Sequence, residues 1–214
     1  MAERDSITSY LNELLPTKNL EDPSWNGLQV EGKNTVQTIA VGVTAGKELF
    51  TRAADINADY IVVHHGHFWR YGTPALTGWE KQRIDVLLEN NMSLYASHLP
   101  LDKHPQIGNN SQILQLLQAE ITEDFVAHGD TTSSYIGVIK RGKHIEEIAT
   151  MLESGMQTTC ITLPFGPPIV RTLRCVLGVE DTRHLQKRWI KKLICLLLAI
   201  RQKFITMRKI RVLV

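Results

Sequence analysis

The chain is poor in cysteine. Of its 214 residues only Cys160, Cys175 and Cys195 are cysteines, an odd number without the spacing of a zinc ribbon. The sequence therefore predicts neither a disulfide framework nor a cysteine-based zinc site, and we expect reduced thiols. Residues 1–8 also lack the apolar stretch of a secretory signal and include acidic side chains, which favours a cytoplasmic location.

Several common catalytic signatures are missing as well. The sequence contains no G-x-S-x-G nucleophile elbow, no G-x-x-x-x-G-K-[ST] phosphate loop and no G-x-G-x-x-G dinucleotide fingerprint. A P-loop nucleotide hydrolase is therefore disfavoured. A phosphorylated substrate stays compatible with the sequence, because bound metal ions hold phosphate without a P-loop.

Acidic residues and glycine become scarce after residue 170. Residues 1–170 hold 12 Lys/Arg and 20 Asp/Glu, whereas residues 171–214 hold 12 Lys/Arg, two acidic residues and one of the 14 glycines. We therefore divide the chain into a domain over 1–170 and a basic tail over 171–214. Such a tail is typical of a nucleic-acid arm, a membrane-surface helix or a changed reading frame.

The first 170 residues alternate between strand-like and helix-like segments. Residues 36–43 read as a strand, Thr44 as the cap of a helix that follows, and residues 60–63 as a second strand. Residues 79–90 carry apolar side chains at helical spacing, and residues 92–97 read as a third strand. This alternation predicts an α/β fold with parallel βαβ units.

Metal-binding side chains follow two of these predicted strands. His64 and His65 end one apolar run, and His98 and Asp102 follow the next. Because ligands gather beyond the carboxyl ends of strands in an open α/β sheet, we expect four nitrogen and oxygen donors in one pocket. A mixed imidazole and carboxylate set suits zinc, iron, manganese or nickel better than calcium. The sequence thus predicts a divalent transition-metal site.

The adjacent histidines allow more than one arrangement. Neighbouring side chains on an ideal strand point to opposite faces, so His64 and His65 bind one ion only if the backbone turns, which Gly66 permits. Alternatively each serves a different ion of a two-metal site, or both are loop histidines bonded to water and backbone. His67 and His104 are weaker candidates, one on the departing loop and one in a polar stretch.

Five motifs, taken in order, identify a family resemblance. They are Asn26-Gly-Leu-Gln-Val-Glu-Gly32, Val41-Gly-Val-Thr-Ala45, Val63-His-His-Gly-His-Phe-Trp69, His98-Leu-Pro-Leu-Asp102 and Gly108-Asn-Asn110. Over about residues 6–170 the chain closely resembles the Nif-three-like family, also called GTP cyclohydrolase I type 2 homologues, and its bacterial YbgI-type members in particular. The resemblance implies a Nif-three-like α/β fold, two divalent metal ions per subunit and a ring-shaped homohexamer.

The resemblance also implies roles for individual residues. In the family pattern His64, His65 and Asp102 are metal ligands, and His98 lies beside the site as an orienting or proton-transferring group. A later His-His-x-x-x-Glu-type motif completes the family's two-metal site. The tail holds only Glu180 and His184 of these types, in reverse order, so the C-terminal part of the fold is incomplete and we favour a frameshift.

The expected function follows from that resemblance. It is a divalent-metal-binding protein, acting as a metal-dependent hydrolase on a nucleotide-like or heterocyclic small molecule. The alternatives are a non-catalytic metal-binding or interaction protein, and an inactive truncated member of the family. We favour the frameshift interpretation of the basic tail over contact with nucleic acid or a membrane.

Overall fold

A computed structural model describes residues 1–16, 21–125, 134–164 and 166–176, together with the backbone of two later strands. The helices are α1 (Arg4–Leu14), α2 (Lys47–Asp55), α3 (Gly78–Glu89), α4 (Leu99–Asp102), α5 (Asn109–Leu116) and α6 (Ile145–Met156). The strands are β1 (Ala2–Glu3), β2 (Gly27–Val30), β3 (Thr35–Val36), β4 (Thr38–Thr44), β5 (Tyr60–His65), β6 (Ser93–Ala96), β7 (Glu120–Phe125), β8 (Ser134–His144), β9 (Ile169–Val176), β10 (Ile194–Leu197) and β11 (Arg208–Arg211). The chain divides into two compact units, residues 1–101 with 202–214, and residues 102–201.

The first unit contains a five-stranded sheet with the order β11-β4-β5-β6-β2. Its three central strands, β4, β5 and β6, run parallel, and the helices α2 and α3 connect them along the chain. The outer strands β2 and β11 pair antiparallel with their neighbours. The predicted α/β fold with parallel βαβ units is confirmed here, with an antiparallel strand added at each edge.

Both faces of the central strand β5 are buried, which explains its continuous apolar sequence. Successive side chains of a strand alternate between faces. Ile61 and Val63 accordingly belong to the core formed with α2 and α3, whereas Tyr60 packs with Ile7 and Leu11 of α1. The helices therefore cover the sheet on both sides and leave the ends of the strands as the place for a site.

A buried carboxylate fixes the start of the parallel pairing. Asp59, directly before β5, accepts hydrogen bonds from the backbone amides of Gln37 (2.6 Å) and Thr38 (2.9 Å) and pairs with Lys33. Burial by itself would raise the pKa of Asp59, but the hydrogen bonds from Lys33 and the two amides outweigh it and the pKa is lowered. Asp59 thus ties the beginning of β4 to the beginning of β5.

We expect Asp59→Asn to lower the free energy of unfolding by about 1–3 kcal/mol at pH 7, because it removes the charge that satisfies buried donors. The folded-state pKa of Asp59 is lowered, so its contribution is present above the unfolded pKa of about 3.9 and is lost as the pH falls below it. Urea unfolding of both proteins at pH 7 and pH 3 measures this. Equal stability of the two proteins at pH 7 would contradict it.

The second unit is built differently. Its sheet has the order β10-β9-β8-β7, with β7, β8 and β9 antiparallel and β10 parallel to β9. A parallel crossover needs a dozen or more residues, and only eight separate β7 from β8. The helices α5 and α6 pack on this sheet through Ile113, Leu114, Ile148 and Leu152. The expected run of parallel units therefore does not extend into these strands.

The basic tail is described only in small part. β9 crosses residue 170 and stays paired with β8 as far as Val176. Beyond it, the backbone of β10 lies beside β9, and that of β11 beside β4. The remaining residues from 177 to 214 lie outside the described part of the chain, so the frameshift stays a prediction. Within the described residues no helix combines the length and the apolar character needed to cross a membrane.

Candidate metal centre

The parallel register brings the two predicted clusters of histidines together. Thr44 is paired with His65, and Val63 with Ala96, so β4, β5 and β6 end at the same edge of the sheet. The backbone amide of Ser97 continues this pairing by donating to the carbonyl oxygen of Val63 (3.0 Å). His98, the next residue, follows β6 and lies beside the carboxyl end of β5, so the two clusters come together as predicted.

Three imidazoles converge at this edge. One ring nitrogen from each of His64, His65 and His98 lies within 4.8 Å of the others. The ring centroids are 4.4 Å apart for His64 and His65, 5.1 Å for His64 and His98, and 5.7 Å for His65 and His98. We call these residues the histidine cluster. The two adjacent histidines thus face one place, although side chains on an ideal strand would diverge.

Close packing after the strand end, rather than a left-handed turn, shapes the backbone at Gly66. This glycine is not among the residues with positive φ, contrary to the conformational freedom expected of it. A Cβ atom there would lie 2.7 Å from the Cβ of Ala96 and would also clash with Gln29. The Oε1 of Gln29 accepts hydrogen bonds from the amides of His67 (2.8 Å) and Phe68 (3.3 Å), which holds the segment after the histidines in place.

Hydrogen bonds at Nδ1 orient two rings of the histidine cluster. Nδ1 of His64 lies 3.0 Å from the carbonyl oxygen of Ser97, which can only accept, so the proton is on Nδ1 and the lone pair on Nε2. Nδ1 of His65 lies 3.0 Å from the hydroxyl of Thr44. Thr44 was predicted to cap α2, but it ends β4, and the residue before α2 is Gly46. Anchored Nδ1 atoms are typical of histidines that bind metal through Nε2.

The third ring, that of His98, is anchored by a carboxylate that the sequence analysis did not single out. Oδ1 of Asp22 lies 2.8 Å from Nδ1 of His98. Asp22 is 3% exposed and also accepts from the amides of Ser24 and Leu99 (2.9 Å each) and from Nδ2 of Asn26 (2.7 Å). Burial would raise the pKa of Asp22, but the hydrogen bonds from His98, Asn26 and the two amides lower it to about 2.

The environment keeps His65 neutral. Burial, and then the nearby rings of His64 and His98, lower the pKa of His65 to about 4. A neutral imidazole is the form that binds a metal ion, since the lone pair must be available. The donor chemistry and the anchoring of the rings therefore fit a divalent transition metal.

We expect His65 of the metal-stripped protein to titrate near pH 4, below the value of about 6.5 for a free imidazole. Since the folded-state pKa is lowered, the stability gained from the neutral ring is present above pH 6.5 and is lost as the pH falls through about 4. Histidine-resolved NMR titration measures the pKa. A midpoint near 6.5 would contradict the effect of burial.

The remaining sequence candidates are not part of the group of three imidazole nitrogens. Asp102 ends α4 as a buried residue and accepts from Nδ2 of Asn109 (2.7 Å); it begins the second unit, and its ligand role stays a prediction. His67 is buried and its Nε2 lies 3.1 Å from Glu80, outside the histidine cluster. In the second unit, Nδ1 of His104 accepts from two backbone amides. Neither of these two histidines belongs to the cluster.

An aromatic side chain borders the histidine cluster. The ring of Trp69 meets that of His98 edge to face, with centroids 5.1 Å apart, and lies 6.3 Å from His65. Its indole Nε1 donates to the carbonyl oxygen of Gly66 (3.0 Å), which fixes the orientation of the ring. Trp69 therefore forms one wall of the site.

The comparison with known families decides what the chain is related to. The sequence model of the Duf34/NIF3 (NGG1p interacting factor 3) family matches residues 2–179. The chain belongs to the Duf34/NIF3 family. A relative from Archaeoglobus fulgidus, named GTP cyclohydrolase 1 type 2 homolog, is 39% identical over 172 residues, which cover 80% of this chain and 68% of the relative. The inferred resemblance is thereby confirmed.

Solved structures of NIF3-like proteins have the same fold. A protein described as ybgI, of unknown function, superposes with a TM-score of 0.74 and 34% identity, over 81% of this chain and 69% of that one. A protein from Thermus thermophilus follows with a TM-score of 0.67 and 30% identity, over 81% and 68% of the two chains. The family match ends at residue 179, a few residues beyond the boundary that charge and glycine content indicate.

Proposed function

We propose that this NIF3-family chain binds a divalent transition metal at the histidine cluster, with His64 and His65 as imidazole ligands and Asp102 as the carboxylate ligand. The observation that carries the proposal is the convergence of three imidazole nitrogens within 4.8 Å. Two of these rings have Nδ1 bound to a pure acceptor, so that Nε2 holds the lone pair. Zinc, iron, manganese and nickel all accept such donors.

We expect His64→Ala, His65→Ala and Asp102→Ala each to lower the metal content of the purified protein, because each removes a donor. The control is His144→Asn, which changes a histidine outside the cluster and keeps an acceptor at the start of α6. Elemental analysis of the protein after dialysis gives the metal content. Unchanged metal in all three variants would refute the ligand assignment, and loss in the control would show that the effect is not local.

The proposed reaction is hydrolysis of a small heterocyclic or nucleotide-like molecule. Lewis-acid activation of water and of a substrate oxygen is the chemistry that such a metal ion supplies. Trp69 places an aromatic ring beside His98, and an aromatic surface suits a planar heterocycle. The name of the relatives, GTP cyclohydrolase 1 type 2 homolog, supports a purine-like ring as the first substrate to test.

Incubation of the metal-loaded protein with GTP tests this reaction, with His65→Ala as the control. We expect the purine ring of GTP to open with the wild type only, and the change in ultraviolet absorbance measures this opening. Stoichiometric metal binding without any loss of GTP or of related heterocycles would favour the second candidate, a metal-handling protein without turnover. That candidate is supported by the reversed order of Glu180 and His184, since the tail does not supply the later family ligands.

We further propose that the protein acts in the cytoplasm as a ring-shaped homohexamer and that residues 171–214 arise from a changed reading frame.

Translation of the other two frames after codon 170 should reveal a glycine-rich segment and a later His and Glu pair. Restoring that segment is expected to raise both the metal affinity and the melting temperature, because metal bound only to the folded state stabilises it. If the 214-residue chain binds two ions per subunit as tightly and melts no earlier, the tail is a functional terminus.

A further inference from the structure

The buried Asp22 and the half-buried His98 form a pair, and no sequence motif assigns Asp22 to the site. The two residues are 76 positions apart, and their side chains meet at 2.8 Å between Oδ1 and Nδ1. Besides this contact, Asp22 accepts an amide hydrogen bond from Ser24, two residues after it, and another from Leu99, directly after His98. The carboxylate is thus bound both to its own loop and to the segment that carries the histidine.

Asn26 completes the arrangement by fixing the backbone of His98. Its Oδ1 accepts from the amide of His98 (2.7 Å), while its Nδ2 donates to the second carboxylate oxygen of Asp22 (2.7 Å). Both the ring and the main chain of His98 are therefore bound by the segment 22–26. This segment lies against residues 66–70 through the bridge between Ser24 and Trp69.

We propose that His98 is itself a metal ligand through Nε2, and that Asp22 is the positioning residue that makes it one. A carboxylate accepts hydrogen bonds and cannot donate when ionised, so the Asp22 contact keeps the proton of a neutral His98 on Nδ1 and the lone pair on Nε2. A carboxylate behind a metal-bound imidazole fixes the ring orientation and increases its basicity. The inference rests on the proposed metal binding. It adds His98, a residue of the first unit, to the proposed ligands.

Two observations favour a ligand over a proton carrier. A nitrogen of His98 belongs to the same 4.8 Å group as those of His64 and His65, which is the spacing that one ion can bridge. The ring also has little freedom to swing, because Asp22 holds its Nδ1 and the edge of Trp69 contacts it at a centroid distance of 5.1 Å. A fixed ring that contributes one of three neighbouring imidazole nitrogens is suited to coordination.

The test compares Asp22→Asn with Asp59→Asn, using Zn²⁺ and Co²⁺ alone as probes. The two aspartates are matched: each is 3% exposed, each accepts two backbone amide hydrogen bonds, and both lie in the first unit. The charged partner of Asp59 is Lys33 instead of a histidine. We expect Asp22→Asn to weaken Zn²⁺ binding by about 10–100-fold, and to change the visible Co²⁺ spectrum, because the ligand loses its orienting partner. Asp59→Asn should leave both unchanged.

The outcomes distinguish a failure of the Asp22–His98 proposal from a failure of the proposed metal binding. Equal loss of affinity in both variants would show a general effect of destabilisation, and unchanged affinity in Asp22→Asn would remove Asp22 from the site. His98→Ala should lower Zn²⁺ affinity as well; if it lowers turnover with affinity intact, His98 carries a proton instead. These results require that the wild type binds Zn²⁺, and failure of that binding would refute the proposed function.

A second measurement decides the role of Asp22 without any metal and without a variant that has to fold. Long-range ¹H–¹⁵N NMR spectra of the metal-stripped wild type distinguish the two neutral imidazole tautomers. We expect His98 with its proton on Nδ1. A proton on Nε2 at pH 7 would overturn the positioning role, whether or not the protein binds metal.

Discussion

The parallel pairing of β4, β5 and β6 is the constraint on which the candidate site depends. Because the three strands run in the same direction and in one register, they end together, and Thr44, His65 and Ser97 come within reach of one another. A shift of this register by one residue would turn every side chain of β5 to the opposite face. The carboxylate of Asp59 lies at the other end of the strands, where it binds the amides of Gln37 and Thr38 and contributes to stability instead of to the site.

The histidine cluster concentrates donors whose protonated forms would repel one another. Burial and the neighbouring rings keep His65 neutral, and a hydrogen bond from Nδ1 to a carbonyl or carboxylate oxygen fixes the tautomer of His64 and of His98. The carboxylate of Asp22 places a negative charge directly behind this arrangement. A divalent cation would be favoured at this place by three imidazoles and one nearby negative charge, and a phosphate would not, unless a metal ion were bound first.

The sequence predicted the parts of this structure that depend on local patterns. Apolar runs ending in His64-His65 and before His98 predicted parallel strands and the meeting of their ends, and the motifs identified the family. Asp22 was not predicted, because nothing in the Asp-Pro-Ser sequence shows a contact 76 residues away. Thr44 was predicted to cap a helix. In the structure Thr44 ends β4, and its hydroxyl contacts His65 instead. The metal-binding residue types could be predicted from the sequence, whereas the partners that orient each ring could be identified only from the tertiary fold.

The central claim is that the histidine cluster holds a transition metal, and anomalous scattering tests it most directly. Crystals grown from protein loaded with Zn²⁺ should show an anomalous peak at the zinc edge within about 2.0–2.1 Å of Nε2 of His64, His65 and His98. The signal should disappear when data are collected below the edge. A cluster without a peak at full zinc loading, or a peak that none of these histidines binds, would contradict the account.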